Sequence, residues 1–270
     1  MDLARIVAAW PGEPAVVALA RQGGRARVVD AVGPLGERRA WASVSKLVVG
    51  LAAGTDVDAG RVRYEDPLGP PGATLAHLLS HSAGLGLEEG DRRHAVGTRR
   101  VYSNVGFDLV ASALAGTRTP AAWLASRVFE PLELSASALE GRAAAGVVGS
   151  TDDLARLGGA WLEGALLDAA THRRIATPFL ADLAGVVPGF GRFTPCPWGL
   201  GPELHGAKAH WMGDWPAGAL GHFGRSGALV LLDVGSGVGV VATSSVPFGP
   251  WAVAQWPAGL SAIRAALVED

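Results

Sequence analysis

Ser43-Val44-Ser45-Lys46 sets a hydroxyl and an amine three residues apart. On a helix, positions i and i+3 share a face, so Ser43 and Lys46 are expected to point the same way. The first amides of a helix lack intrahelical partners and stabilise negative charge. That combination suits acyl transfer, in which a serine oxygen attacks a carbonyl and an oxyanion develops. The serine needs a base, and a desolvated lysine, unlike an arginine, can lose its proton. Ser45 neighbours Lys46 directly and points away from it. The plainer reading is a cap serine followed by an ordinary lysine, and a lone S-x-x-K does not decide between the two.

Tyr102-Ser103-Asn104 is a second candidate. A phenol near a lysine cation is expected to have a lowered pKa, which suits proton shuttling. Asn104 offers its amide to a substrate carbonyl or to Lys46. The alternative is a turn with Tyr102 plugged into the core. Composition sharpens both elements. Of 23 basic residues only Lys46 and Lys208 are lysines, and Tyr64 and Tyr102 are the two tyrosines. One of each falls where tunable acid–base chemistry needs it; Lys208 and Tyr64 acquire no role at this level.

The elements that must position these groups follow from pattern. Residues 15–20 and 25–31 read as strands around Gly23-Gly24, a hairpin signal. Val44, Leu47, Val48 and Leu51 recur at helical spacing, with Ser43 as the expected cap. Further helices are expected over 74–81 (Thr74 as cap, Gly84 as stop), over 105–115 and 119–128, and over 154–162 behind a Ser150 cap. Residues 186–220 are rich in Gly, Pro and Trp with weak periodicity. Strands return between 219 and 245, and the end, 251–268, is helical apart from Pro257. The order strands, helices, strands, helix predicts an α+β fold. An antiparallel sheet flanked by terminal helices is assigned to 1–40 plus 186–270, and an inserted, mostly helical domain to 41–185, with the active site at their interface.

Composition removes other classes. The chain has 270 residues, 49% of them hydrophobic, and a net charge of −2. That is enough apolar material for a core and too little basic excess for a nucleic-acid binder. Cys196 is the single cysteine, so no internal disulfide and no Cys metal cluster can form. His77 and His81 have the i, i+4 spacing of zinc ligands but lack the H-E-x-x-H glutamate, so a structural helix is expected and no metal. No G-x-S-x-G elbow exists, and Gly235-Ser236-Gly237-Val238-Gly239 lies between strands rather than before a helix. Trp198, Trp211 and Trp215 either line an apolar substrate rim or pack under a long loop. No run reads as a signal peptide or a membrane span, so a cytoplasmic location is expected.

Taken together, Ser43-Val44-Ser45-Lys46, Tyr102-Ser103-Asn104 and Gly221-His222-Phe223-Gly224 resemble the three motifs of the serine β-lactamase and penicillin-binding-protein superfamily. The tyrosine in the second motif is similar to the branch of class C β-lactamases, D-alanyl-D-alanine carboxypeptidases and esterases. The stretch from Asp58 to Leu85, Glu130-Pro131-Leu132, Gly149-Ser150-Thr151-Asp152-Asp153-Leu154 and Trp198-Gly199-Leu200-Gly201 extend the likeness over roughly 25–245. The resemblance implies a β-lactamase/transpeptidase-like fold and a covalent acyl-enzyme. It implies Ser43 as nucleophile, Lys46 and Tyr102 sharing acid–base work, and Asn104 and His222 beside the substrate. The amides of Ser43 and Arg225, next to Gly224, would form the oxyanion hole. No cofactor, nucleic acid or membrane partner is implied.

Two departures shape the expected activity. Leu85 and Tyr102 are separated by only 16 residues, so loops walling the cleft are trimmed. The third motif has His222-Phe223-Gly224 where penicillin-recognising relatives have Lys-Thr-Gly. A histidine is only partly charged at neutral pH, and phenylalanine offers no hydroxyl. Cleavage of an ester or amide of a small neutral acyl compound therefore ranks above β-lactamase or D-amino-acid peptidase activity. A non-catalytic ligand-binding protein on the same fold is the alternative of another class.

Overall fold

The computed structural model describes residues 1–91 and 93–269. The chain opens with α1 (Leu3–Ile6), β1 (Ala15–Gln22) and β2 (Arg25–Val32). Next come β3 (Arg39–Ala40), a 3-10 turn (Ala42–Val44), α2 (Ser45–Asp58) and α3 (Leu75–Leu79). Then follow α4 (Asn104–Ala115), α5 (Pro120–Leu124) with a π turn (Ala125–Phe129), β4 (Ala138–Leu139), β5 (Val147–Gly149), α6 (Thr151–Glu163) and α7 (Ala169–Ile175). The last part holds β6 (Gly185–Val187), β7 (Gly191–Phe193), β8 (Glu203–Leu204), β9 (Leu220–Phe223), β10 (Leu229–Asp233), β11 (Val238–Thr243) and α8 (Pro250–Glu269).

Both chain ends build one antiparallel sheet of order β2-β1-β11-β10-β9-β8. Gly23 and Gly24 close the first hairpin with φ of +58° and +81°. Two successive left-handed residues match the twist of the flanking strands. The central strands are buried on both faces, which is why they read as continuous apolar runs. Alternate residues serve different cores. Val17, Leu19, Val230 and Val241 face the helices, while Val16, Ala18, Leu231 and Val240 face α1 and α8. The sheet flanked by terminal helices agrees with expectation. Within the 41–185 block, however, α6 lies directly on β1, β2, β10 and β11. Its Ser150 cap accepts from the Asp153 amide at 3.1 Å.

α2 is buried nearly all round, from Ser45 to Gly54 and again at Asp56. A helix apolar on every side belongs at the centre of a fold. Asp56 ties its far end to the neighbouring helices. The carboxylate, 2% exposed, accepts from Trp123 Nε1 at 2.8 Å, Arg127 Nε at 2.7 Å and Arg61 NH1 at 2.9 Å. Removing it would leave a buried indole N–H and a mostly buried guanidinium unpaired. Asp56→Ala is expected to cost about 3 kcal/mol of stability, read as a lower midpoint in urea unfolding.

Candidate active site

Ser43 does not cap α2. It sits in the preceding 3-10 turn, and the capping position falls to Val44, which makes no side-chain bond. The hydroxyl is thereby spared a capping bond and meets Lys46 instead. Ala42 just before it has φ of +47°, a conformation that costs a non-glycine residue about 1 kcal/mol or more. Gly224, after β9, accommodates that turn. A Cβ on Gly224 would lie 2.4 Å from Trp41 O, 2.9 Å from Ala42 Cβ and 3.2 Å from Ser43 N. The Arg225 amide, next in the chain, makes no backbone hydrogen bond among the described residues. The backbone just before Arg225 thus lies against the Ser43 amide.

Lys46, fully buried, reaches Ser43 Oγ at 3.4 Å. It also donates to Asn104 Oδ1 at 2.8 Å and to Ala144 O at 2.9 Å. Its pKa falls to about 7. Burial is the main cause; the anions of Asp108 and Glu88 oppose it and Arg142 adds to it. A neutral amine has two hydrogens and one lone pair. The two short contacts are both to carbonyl oxygens and take the hydrogens, so the lone pair is left for the Ser43 hydroxyl. The i, i+3 geometry read from sequence is thus realised, with Asn104 and Ala144 setting its polarity.

Tyr102 departs from expectation. Its pKa is raised, because burial outweighs its hydrogen bond with Ser43. Lys46 Nζ lies 4.7 Å from the centroid of the ring rather than beside its oxygen. The phenol therefore stays protonated, and Lys46 is the group that titrates near neutrality. Tyr102 is held from three sides. Arg100, two residues earlier, donates to the carbonyls of Ser80, Phe179, Leu180 and Cys196. His81 stacks on the ring at 4.5 Å, and its Nδ1 accepts from the Ser103 amide at 3.0 Å. Trp198 packs against both rings.

On β9, His222 Nδ1 donates to Phe223 O at 2.8 Å, which leaves Nε2 as an acceptor 3.4 Å from the Tyr102 hydroxyl. Burial first and Lys46 second push the His222 pKa down to about 3. The ring is neutral, not the partial cation expected of a free histidine. Phe223 packs among Trp211, Phe248 and Trp256. Of the three tryptophans singled out by sequence, Trp198 lines the cleft, whereas Trp211 and Trp215 are core.

The cleft holds about 150 Å3 and is lined by Ser43, Tyr102, Asn104, His222, Phe223 and Arg225 together with Leu87, Glu88, Val187, Pro188 and Trp198. Of the site residues named from the sequence, Ser43, Tyr102, Asn104, His222 and Arg225 therefore meet at one place, with Lys46 bonded to two of them and Gly224 packed against Ser43 N. Glu203, missed there, lines the same cleft. Its Oε1 takes Lys208 Nζ at 2.8 Å and His210 Nε2 at 2.9 Å. Burial would raise its pKa, but Lys208 and His210 hold it at about 2. Lys208 thus acquires a role as the buried counter-ion. His77 and His81 do not converge: His77 pairs with Thr74 at 2.8 Å, and His81 lies beyond α3 with φ of +59°.

Gly224→Ala would place its methyl against Trp41 O and Ala42, both too close to remain where they are. The substitution is expected to slow covalent labelling of Ser43 by a fluorophosphonate on the order of 100-fold, the scale of a lost oxyanion donor, with circular dichroism unchanged.

Comparisons with known proteins bear on the family and the fold. The Beta-lactamase family model matches residues 3–262. A crystal structure from Mycobacterium bovis, described as a beta-lactamase, is 33% identical, with 98% of this chain and 99% of that one covered and a TM-score of 0.93. A beta-lactamase/D-alanine carboxypeptidase from Yersinia pestis has 19% identity, 99% coverage of both chains and a TM-score of 0.77. A simvastatin synthase mutant from Aspergillus terreus has 14% identity, 100% and 94% coverage and a TM-score of 0.79. The last two show a shared fold. A search of curated proteins returned no match. With nearly the whole chain matched, and a relative at one-third identity over the same span, the chain belongs to the beta-lactamase family.

Proposed function

We propose that this protein is a serine hydrolase that cleaves an ester or amide of a small neutral acyl compound through an acyl-Ser43 intermediate. The observation that carries this reading is the Lys46 amine. It is 3.4 Å from Ser43 Oγ, its pKa is near 7, and both remaining hydrogens face carbonyls. Such an amine is a general base matched to neutral pH. A ligand-binding protein would have no use for it.

In the proposed sequence, Ser43 Oγ attacks the substrate carbonyl carbon and its proton passes to Lys46. The amides of Ser43 and Arg225 hold the oxyanion. The tetrahedral intermediate then expels the alcohol or amine, which takes a proton relayed by Tyr102 from Lys46. Water attacks the acyl-serine, Lys46 again accepts the proton, and the carboxylic acid and free Ser43 result. Tyr102 fits a relay rather than a base because burial keeps it protonated.

Substrate preference follows from the third motif. His222 is neutral, Phe223 offers the cleft only an apolar ring, and the charge of Glu203 is balanced inside the protein. Little remains on β9 to hold a β-lactam carboxylate. Arg225, exposed at the cleft, is the observation that keeps β-lactamase or D-amino-acid peptidase activity as a second reading.

Ser43→Ala is expected to lower p-nitrophenyl ester turnover by on the order of 1,000-fold or more; undiminished turnover would refute the nucleophile. The acylation rate should rise with pH around a midpoint of about 7, because only deprotonated Lys46 accepts the proton. Lys46→Arg should be inactive across that range, since arginine stays protonated. Nitrocefin opening should be slower than ester cleavage at equal concentration; the reverse order would favour the second reading.

A further inference from the structure

Glu88 lies on the loop before the tyrosine motif, and its carboxylate joins two parts of the site. Oε1 accepts from Asn104 Nδ2 at 2.7 Å, and Oε2 accepts from Arg142. Arg142 Nε donates to Asp108 Oδ2 at 2.7 Å. Asp108 Oδ1 in turn accepts from the Ala144 amide at 2.9 Å. Asn104 Oδ1 and Ala144 O are the two acceptors of Lys46. The hydrogen bonds therefore form a ring that begins and ends at the lysine.

We infer that Glu88 is a positioning residue for Lys46, acting through Asn104, and that Glu88, Arg142 and Asp108 together hold both carbonyl acceptors of the lysine in place. The inference rests on the acyl-serine reading above, in which Lys46 is the base. The chemistry of the amide explains why a carboxylate is needed. Asn104 has one acceptor end and one donor end. A carboxylate only accepts, so Glu88 fixes Nδ2 on its own side and leaves Oδ1 for Lys46. Without Glu88 the amide can turn, and a donor then faces the amine. The lone pair of neutral Lys46 would be drawn to Asn104 instead of Ser43.

A stability role explains the ring less well. The Glu88 and Arg142 side chains are 47% and 41% exposed, and exposed ion pairs contribute at most about 1 kcal/mol. The groups around Lys46 also set the direction of the test. Asp108 and Glu88 raise its pKa and Arg142 lowers it. His81 and His222, both kept neutral by burial, and the rings of Tyr102 and Phe107 complete its surroundings. Removing Glu88 takes away an anion and loosens an acceptor, and both losses favour the neutral amine.

The chain has two lysines, so lysine-selective isotope labelling gives two side-chain signals, assigned by Lys208→Arg. In Glu88→Ala the Lys46 titration midpoint should move down from about 7 by roughly half a pH unit or more. In the same variant, kcat for a p-nitrophenyl ester should fall about tenfold with KM little changed, as expected when a catalytic group is misaligned. In an Asn104→Ala background the kcat loss from the same change should shrink, since Glu88 acts mainly through Asn104. Glu88→Gln, which keeps the size and loses the charge, should also lower the midpoint and covers the case of an unfolded alanine variant. An unmoved midpoint in a folded variant, or a kcat loss undiminished in the Asn104→Ala background, would overturn the inference. The titration needs no substrate, so a wild type without ester turnover would sink the acyl-serine reading and still leave this inference measurable.

Discussion

A lysine amine sealed from water, with two carbonyl oxygens and one serine hydroxyl around it, is the constraint on which the rest of the site depends. Burying an ammonium is costly, and the cost is relieved when the group gives up its proton. The same burial that makes Lys46 expensive therefore makes it a base. Placement on the buried part of α2 keeps water away, and two of its partners come from distant parts of the chain. Asn104 opens α4, Ala144 lies in the loop before β5, and Ser43 precedes α2. Each has to be held to within a few tenths of an ångström, so the surrounding loops are ordered by charged groups rather than left to packing alone.

The sheet supplies the other wall. β9 sits between β8 and β10, which gives it little freedom to shift, and Gly224 beyond its end lets the backbone approach the Ser43 turn. Arg100 and His81 do the equivalent work for the tyrosine loop by meeting its backbone and ring. Charge inside the cleft is balanced locally, Glu203 by Lys208 and Glu88 by Arg142. Besides these two glutamates, Ser43, Asn104 and the exposed Arg225, the small cavity is faced by apolar side chains, a neutral imidazole and an un-ionised phenol.

Much of the fold was legible from residue pattern. The glycine pair between residues 22 and 25 forms the expected hairpin, Ser150 caps α6, and strands return at 220–243. These are local rules: turn conformations, caps and periodicity depend on near neighbours in the chain. The errors were also local rules overridden from outside. Ser43 has a cap's residue type, yet contact with the β9 end shapes the 3-10 turn in which it sits. His77 and His81 have helical spacing, yet α3 stops at Leu79 and separates them.

The sequence by itself determined which side chains could do acyl transfer, because a serine, a lysine and a tyrosine in a chain poor in the last two carry a chemical meaning wherever they lie. Only the tertiary structure decided their protonation and direction. It kept Tyr102 protonated, left His222 neutral and made Lys46 the titrating group, since these depend on burial and on charges far away in sequence. Glu88 and the Ala144 carbonyl belong to the same category. A glutamate in a polar loop and a backbone oxygen have no signature in sequence, and they gain significance only when the folded chain brings them to the ends of one amine's hydrogen bonds.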